Sequence, residues 1–143
     1  MLFSLIYVSS AVRPFSASDL EALLRTCHGN NSNLDITGML LYKDGNFMQV
    51  LEGEEATVLK LAAKIHADRR HKGMITLCKG YTDERQFPDW SMGFCDLGSP
   101  KTKNMPGYSD FLNTPLSGSE FLAHPGRAKK LLLVFKKNTA LQP

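Results

Sequence analysis

The chain has 143 residues, 43% apolar and 22% charged, with a net charge of +3. That length suits one domain with a real core, and the balance argues against disorder except at the ends. The basic clusters at 69–72 and 127–137 read as solvated helix ends, so no direct nucleic-acid binding is expected.

Leu2–Ser9 is rich in β-formers and predicts a first strand, which Arg13–Pro14 ends. Ser18–Asp19–Leu20–Glu21 has the pattern of a capping box. Leu20, Leu23, Leu24 and Cys27 follow at helical spacing, so an amphipathic helix is expected over 18–29. Gly29 and the cluster Asn30–Asn31–Ser32–Asn33 should end it, because these residues tolerate the left-handed conformation. A hairpin of two apolar strands fills 35–52 around a Lys43–Asp44–Gly45–Asn46 turn. Glu54 and Glu55 open a second helix with Val58, Leu61, Ala62 and Ile65 as its stripe and Arg69, Arg70 and His71 at its end. Met74–Tyr81 reads as a fourth strand and Trp90–Leu97 as a fifth.

The order β-α-β-β-α-β-β predicts an α+β, ferredoxin-like sheet with both helices on one face. Residues 98–143 form an expected C-terminal helical extension, with a short helical piece near Ser109–Asn113 and a last helix over Arg127–Lys137, although Leu131–Phe135 could pass for a strand. Cys27, Cys78 and Cys95 stand alone with no Cys-x-x-Cys spacing, which argues against a disulfide frame or a metal site and for a reducing compartment. No run reaches membrane-spanning length and no signal-type segment opens the chain, so a cytoplasmic protein away from membranes is expected.

Polar groups inside apolar elements carry the functional signal. Gln49 sits mid-strand among Phe47, Met48, Val50 and Leu51, where an amide loses its hydration without return unless its donor and acceptor are taken up. Tyr7 lies likewise within the apolar run Leu2–Val8, and Asn30–Asn31 falls where the first helix is expected to end. Taken singly, these read as a packed tyrosine, an edge glutamine and a helix terminator. Together they suggest a polar-edged ring held in an apolar slot, between Leu23 or Leu24 on one helix and Ile65 on the other. Carboxamides suit the mixed donor and acceptor edge of an isoalloxazine.

Several segments in register carry a resemblance: Tyr7-Val-Ser9, Asn30-Asn31, Asp35-Ile-Thr-Gly-Met-Leu-Leu-Tyr42, Phe47-Met-Gln49-Val-Leu-Glu-Gly53, Ile65-His-Ala-Asp68-Arg-Arg70-His71 and Trp90-Ser-Met92. In these, residues 1–97 resemble BLUF domains, the blue-light sensors that use flavin. The resemblance implies FAD as cofactor, with Tyr7 as photochemical donor and Gln49 as the bridge that rearranges after light. It implies that Asn31, with Asn30 beside it, anchors the ring edge. It places Lys64, Asp68, Arg70 and His71 near the flavin side chain, the basic three on phosphate or ribityl oxygens. Trp90 and Met92 match positions tied to signalling, passed to 98–143 for output or oligomer contacts. Asn30 departs from members that carry a histidine there. A sensor that is not itself an enzyme, forms a homo-oligomer and acts on an effector protein in trans is the expected function. Two other readings stand beside it: a small flavin-using or acylphosphatase-type enzyme, and a non-photoactive regulatory or oligomerisation module.

Overall fold

A computed structural model describes residues 2–13, 15–43, 45–86 and 93–96. The elements run β1 (Leu2–Ala11), α1 (Ala17–Leu34), β2 (Thr37–Lys43), β3 (Asn46–Glu54), α2 (Glu55–His66), β4 (His71–Thr82) and β5 (Gly93–Asp96). They form one sheet in the order β4-β1-β3-β2-β5. The pairs β1–β3, β1–β4 and β2–β3 are antiparallel, and β5 lies parallel to β2. This is the expected ferredoxin-like α+β fold. The expected C-terminal helices, and Trp90 and Met92, lie outside the described residues.

Strand alternation sorts the side chains into two faces. Phe3, Leu5 and Tyr7 of β1, Leu40 and Tyr42 of β2, and Phe47 and Leu51 of β3 join Leu20 of α1 and Val58, Leu61 and Ala62 of α2 in one core. Both helices therefore cover the same face. Ile6, Val8, Met39, Leu41, Met48 and Val50 point the other way and are also buried.

Helix α1 departs from expectation at both ends. Ser16, not Ser18, is the N-cap: its hydroxyl accepts from Asp19 N–H, and the Asp19 carboxylate accepts from Ser16 N–H. Aspartate fills the role expected of a glutamate, and the start moves back one residue. The helix also runs through Gly29 and the asparagines to Leu34. The left-handed terminator is Asp35, at φ 55°. Tolerance of that conformation at Asn30 and Asn31 did not decide the end. The buried side chain of Asn31 and the Ile36 anchor behind it did, with Asp35 and Ile36 N–H both donating to Asn31 O.

The second helix stops at His66 rather than near His71, and β4 begins at His71. Residues 67–70 make the corner, where Asp68 N–H donates to Ile65 O at 3.0 Å. Gly53 lets β3 approach this framework closely, since a Cβ there would stand 3.2 Å from both Asp35 O and Ile36 Cγ1. Arg85, beyond β4, ties the same region together: its guanidinium donates to Asp35 O at 2.7 Å, Glu52 O at 3.0 Å and Thr37 Oγ1 at 2.9 Å.

Candidate functional site

A cleft of about 150 Å³ lies between α1, α2 and the sheet face they cover. Leu23, Thr26, Cys27, Asn30 and Asn31 of α1 line one side, and Leu61, Lys64 and Ile65 of α2 the other. Tyr7, Ser9, Leu40, Phe47 and Gln49 form its floor, and Asp68, Arg70 and His71 stand at the corner. Phe15, in the loop before α1, closes part of the wall. Its ring packs edge-on to Phe47 at 5.1 Å, and its N–H donates to Tyr42 Oη.

Register places the two central polar residues together. Tyr7 and Gln49 are direct partners across β1 and β3, so alternation sends both side chains to the helix face. The Tyr7 hydroxyl donates to Gln49 Oε1 at 2.5 Å. Both residues are at most 4% exposed. Burial, with the neighbouring Cys27 and Asp68 adding to it, pushes the Tyr7 phenol far above its ordinary range. Tyr7 is therefore held as a neutral hydrogen-bond donor.

The corner is built by local hydrogen bonds. Asp68 accepts from the Arg70 backbone N–H and from its guanidinium, the closest contact being Nη2 to Oδ2 at 2.6 Å. The Arg70 guanidinium holds the Asp68 carboxyl below its ordinary value. The His71 ring reaches back from β4 so that Nε2 donates to Ile65 O, and its centroid lies 6.5 Å from that of Tyr7. Burial also pushes the Cys27 thiol up to about 11, so it stays protonated at neutral pH.

Of the residues singled out from sequence, Tyr7, Leu23, Asn30, Asn31, Gln49, Lys64, Ile65, Asp68, Arg70 and His71 all meet at this cleft. Leu24 does not line it and packs against the core instead. Sequence reasoning missed Ser9, Phe15, Thr26, Cys27, Leu40, Phe47 and Leu61 as wall residues. Some were legible: Ser9 and Phe47 lie two positions from Tyr7 and Gln49 on the same strand faces, and Cys27 lies one helical turn before Asn31.

The donor set fits a flavin. Apolar side chains from two helices offer flat walls, and amides, a carboxylate and a guanidinium offer both acceptors and donors to a ring edge that carries carbonyls and an N–H. The buried Ser9 Oγ and His71 Nδ1 also face the cleft without a hydrogen-bond partner among the described residues, as expected of a site shaped for a polar occupant.

Residues 2–93 match the sequence model of the family described as BLUF, sensors of blue-light using FAD. Photoactivated adenylate cyclase subunit beta of Euglena longa is 41% identical over 92 residues, which are 64% of this chain and 11% of that protein. The alpha subunit of Euglena gracilis is 40% identical over 86 residues, 60% of this chain and 8% of that protein. The chain thus spans about a tenth of the length of these relatives. Among solved structures, the BlsA ground state superposes with a TM-score of 0.79 at 28% identity, covering 100% of this chain and 92% of that one. BlrB, a BLUF protein in its dark state, gives 0.71 at 30% identity, covering 91% and 96%.

Proposed function

This chain belongs to the BLUF family of blue-light sensors, and we propose that it holds FAD in the α1–α2 cleft and signals by re-seating the Tyr7–Gln49 hydrogen bond. The observation that carries this reading is the buried 2.5 Å contact from the Tyr7 hydroxyl to Gln49 Oε1, on the floor of a cleft whose walls suit a flat ring. Asn31 and Asn30, with the Asp68–Arg70 pair, would hold the polar ring edge, while Leu23, Leu61 and Ile65 bracket its faces. Lys64 stands at the mouth, where it suits a phosphate. When bound, the flavin supplies blue absorption and, once excited, a strong oxidant.

The chain's own residues do the rest. Tyr7, neutral and desolvated, is the group able to give up and recover an electron together with its phenolic proton. Gln49 can present either end of its amide to Tyr7. With Oε1 toward the phenol it accepts, and turned over it donates. Each arrangement differs by hydrogen bonds contributing roughly 0.5–1.5 kcal/mol net. The second arrangement therefore lies within thermal reach of the first and decays in the dark. Gln49 lies on β3, next to β2, and β2 carries β5; a changed amide contact can pass along this order toward the sheet edge. Trp90 and Met92, just before β5, are the proposed readout, acting on an effector protein in trans from a cytoplasmic homo-oligomer.

An absorbance spectrum of the purified protein before and after blue illumination tests this. The expected result is a flavin spectrum that shifts to the red in light and returns in darkness. Protein that stays colourless with added flavin would support the non-photoactive module. Flavin reduction by NAD(P)H in the dark, with turnover, would support the enzyme.

A further inference from the structure

The cleft has walls suited to a flavin but not the room for one. At about 150 Å³ it is well under the roughly 300–1,000 Å³ of clefts that hold small molecules. Part of its wall therefore has to move aside when a flavin is seated. Most of the wall is fixed. The floor residues sit on β1, β2 and β3, which pair in unbroken register. Helix α2 is anchored by the buried Val58, Leu61 and Ala62, and α1 by the buried Leu20 and Asn31 and by its Ser16–Asp19 cap.

Phe15 is held far less firmly. It lines the cleft from the loop just ahead of that cap, outside any helix or strand. Among the described residues one hydrogen bond holds its backbone, from its N–H to Tyr42 Oη at 3.0 Å. Its ring is only partly buried, edge-on to Phe47 at 5.1 Å and tilted against Tyr42 at 6.2 Å. Local opening draws on segments with few buried contacts, and this is the wall residue that fits that description. Tyr42 lies behind it, buried near the end of β2 opposite Phe47, and is not itself a lining residue of the cleft.

Resting on the flavin reading of this cleft, we propose that Phe15 is a flap that closes it and Tyr42 the latch that holds the flap shut. The structure shows the closed arrangement. Flavin is seated only when Phe15 swings out and its N–H leaves Tyr42 Oη. The latch therefore works against the cofactor, since binding is weakened by the fraction of molecules in which the flap is closed. Releasing the latch should make flavin bind faster and more tightly.

The test is stopped-flow mixing of the flavin-free full chain with FAD, followed by flavin fluorescence. Tyr42→Phe keeps the ring and removes only the latching oxygen. It should raise the FAD association rate and affinity together by about two- to tenfold, the factor that one hydrogen bond supplies. Phe15→Ala removes the flap itself and should speed association at least as much. That variant alters a partly exposed loop residue, so it keeps the test open should Tyr42→Phe fold poorly. Unchanged or slower association in both variants overturns the flap while the flavin reading stands. Weaker binding through faster dissociation alone overturns it too, by making Phe15 a fixed wall that touches the ring. Failure of wild type to bind FAD overturns the flavin reading and this proposal with it.

Discussion

Replacing Tyr7 with phenylalanine removes one oxygen from the floor of the cleft and leaves its shape. Gln49 is 3% exposed, and its amide would lose the phenolic hydrogen bond. Removing a buried hydrogen bond of this kind costs about 0.5–1.5 kcal/mol. At roughly 2–4 °C per kcal/mol for a chain near 150 residues, thermal melting of Tyr7→Phe should come down by a few degrees. Gln49→Leu should cost a similar amount by stranding the phenol instead. The double variant removes both partners, and its loss should fall short of the sum of the single losses by about 1 kcal/mol. Thermal melts of the four flavin-free proteins give this coupling directly. Strict additivity would mean that the contact contributes nothing in solution, and the account of the floor would fail. The flavin-loaded Tyr7→Phe protein adds a second readout: it should stay yellow and show no red shift in blue light. A wild-type photocycle in that variant would refute the role given to Tyr7.

Other outcomes follow from the same geometry. Because the folded Tyr7 pKa lies above the ordinary 10.0, an unfolded chain loses this proton first. Stability should therefore be complete below pH 10 and fall as pH rises beyond it, less so in Tyr7→Phe; alkaline melts with identical slopes for both proteins would contradict this. With its thiol at about 11 against an ordinary 9.0, Cys27 has about a hundredfold less thiolate at pH 8 than an unperturbed cysteine. Mass-resolved alkylation of the native protein should label the exposed Cys78 before Cys27, and prompt labelling of Cys27 would show the cleft to be wetter than described. Arg85→Ala should cost about 2–3 kcal/mol by releasing its charge-assisted bonds to Asp35 O, Glu52 O and Thr37. A melt within a degree of wild type would remove that clamp from the account.

The fold was legible where periodicity was clean. Apolar residues of β1 to β3 alternate or run continuously between turn residues, and the stripes of α1 and α2 recur at helical spacing. The start of β4 was hidden for a physical reason. Its pairing with β1 shifts register between Ile6 and Tyr7 and again between Val8 and Ser10, with Gly73 at φ 64°. Its partly buried residues His71, Met74, Leu77 and Gly80 therefore recur every third position rather than every second, and His71 looked like a helix end. The end of α1 misled because Gly29 and the asparagines are local signals. Asn31 is instead held in the helix by tertiary burial. In the cleft, Tyr7, Asn31 and Gln49 stood out as polar groups in apolar settings. Ser9 and Cys27 did not, because a small side chain in a strand or helix is equally at home in a core.

Light-minus-dark infrared spectra of the flavin-loaded protein, with ring-labelled tyrosine, test the central claim most directly. Movement of the Tyr7–Gln49 contact predicts a tyrosine difference band that rises with the visible red shift, decays with it, and vanishes in Tyr7→Phe. A full red shift with no tyrosine band would show that light acts on the flavin without re-sorting this pair.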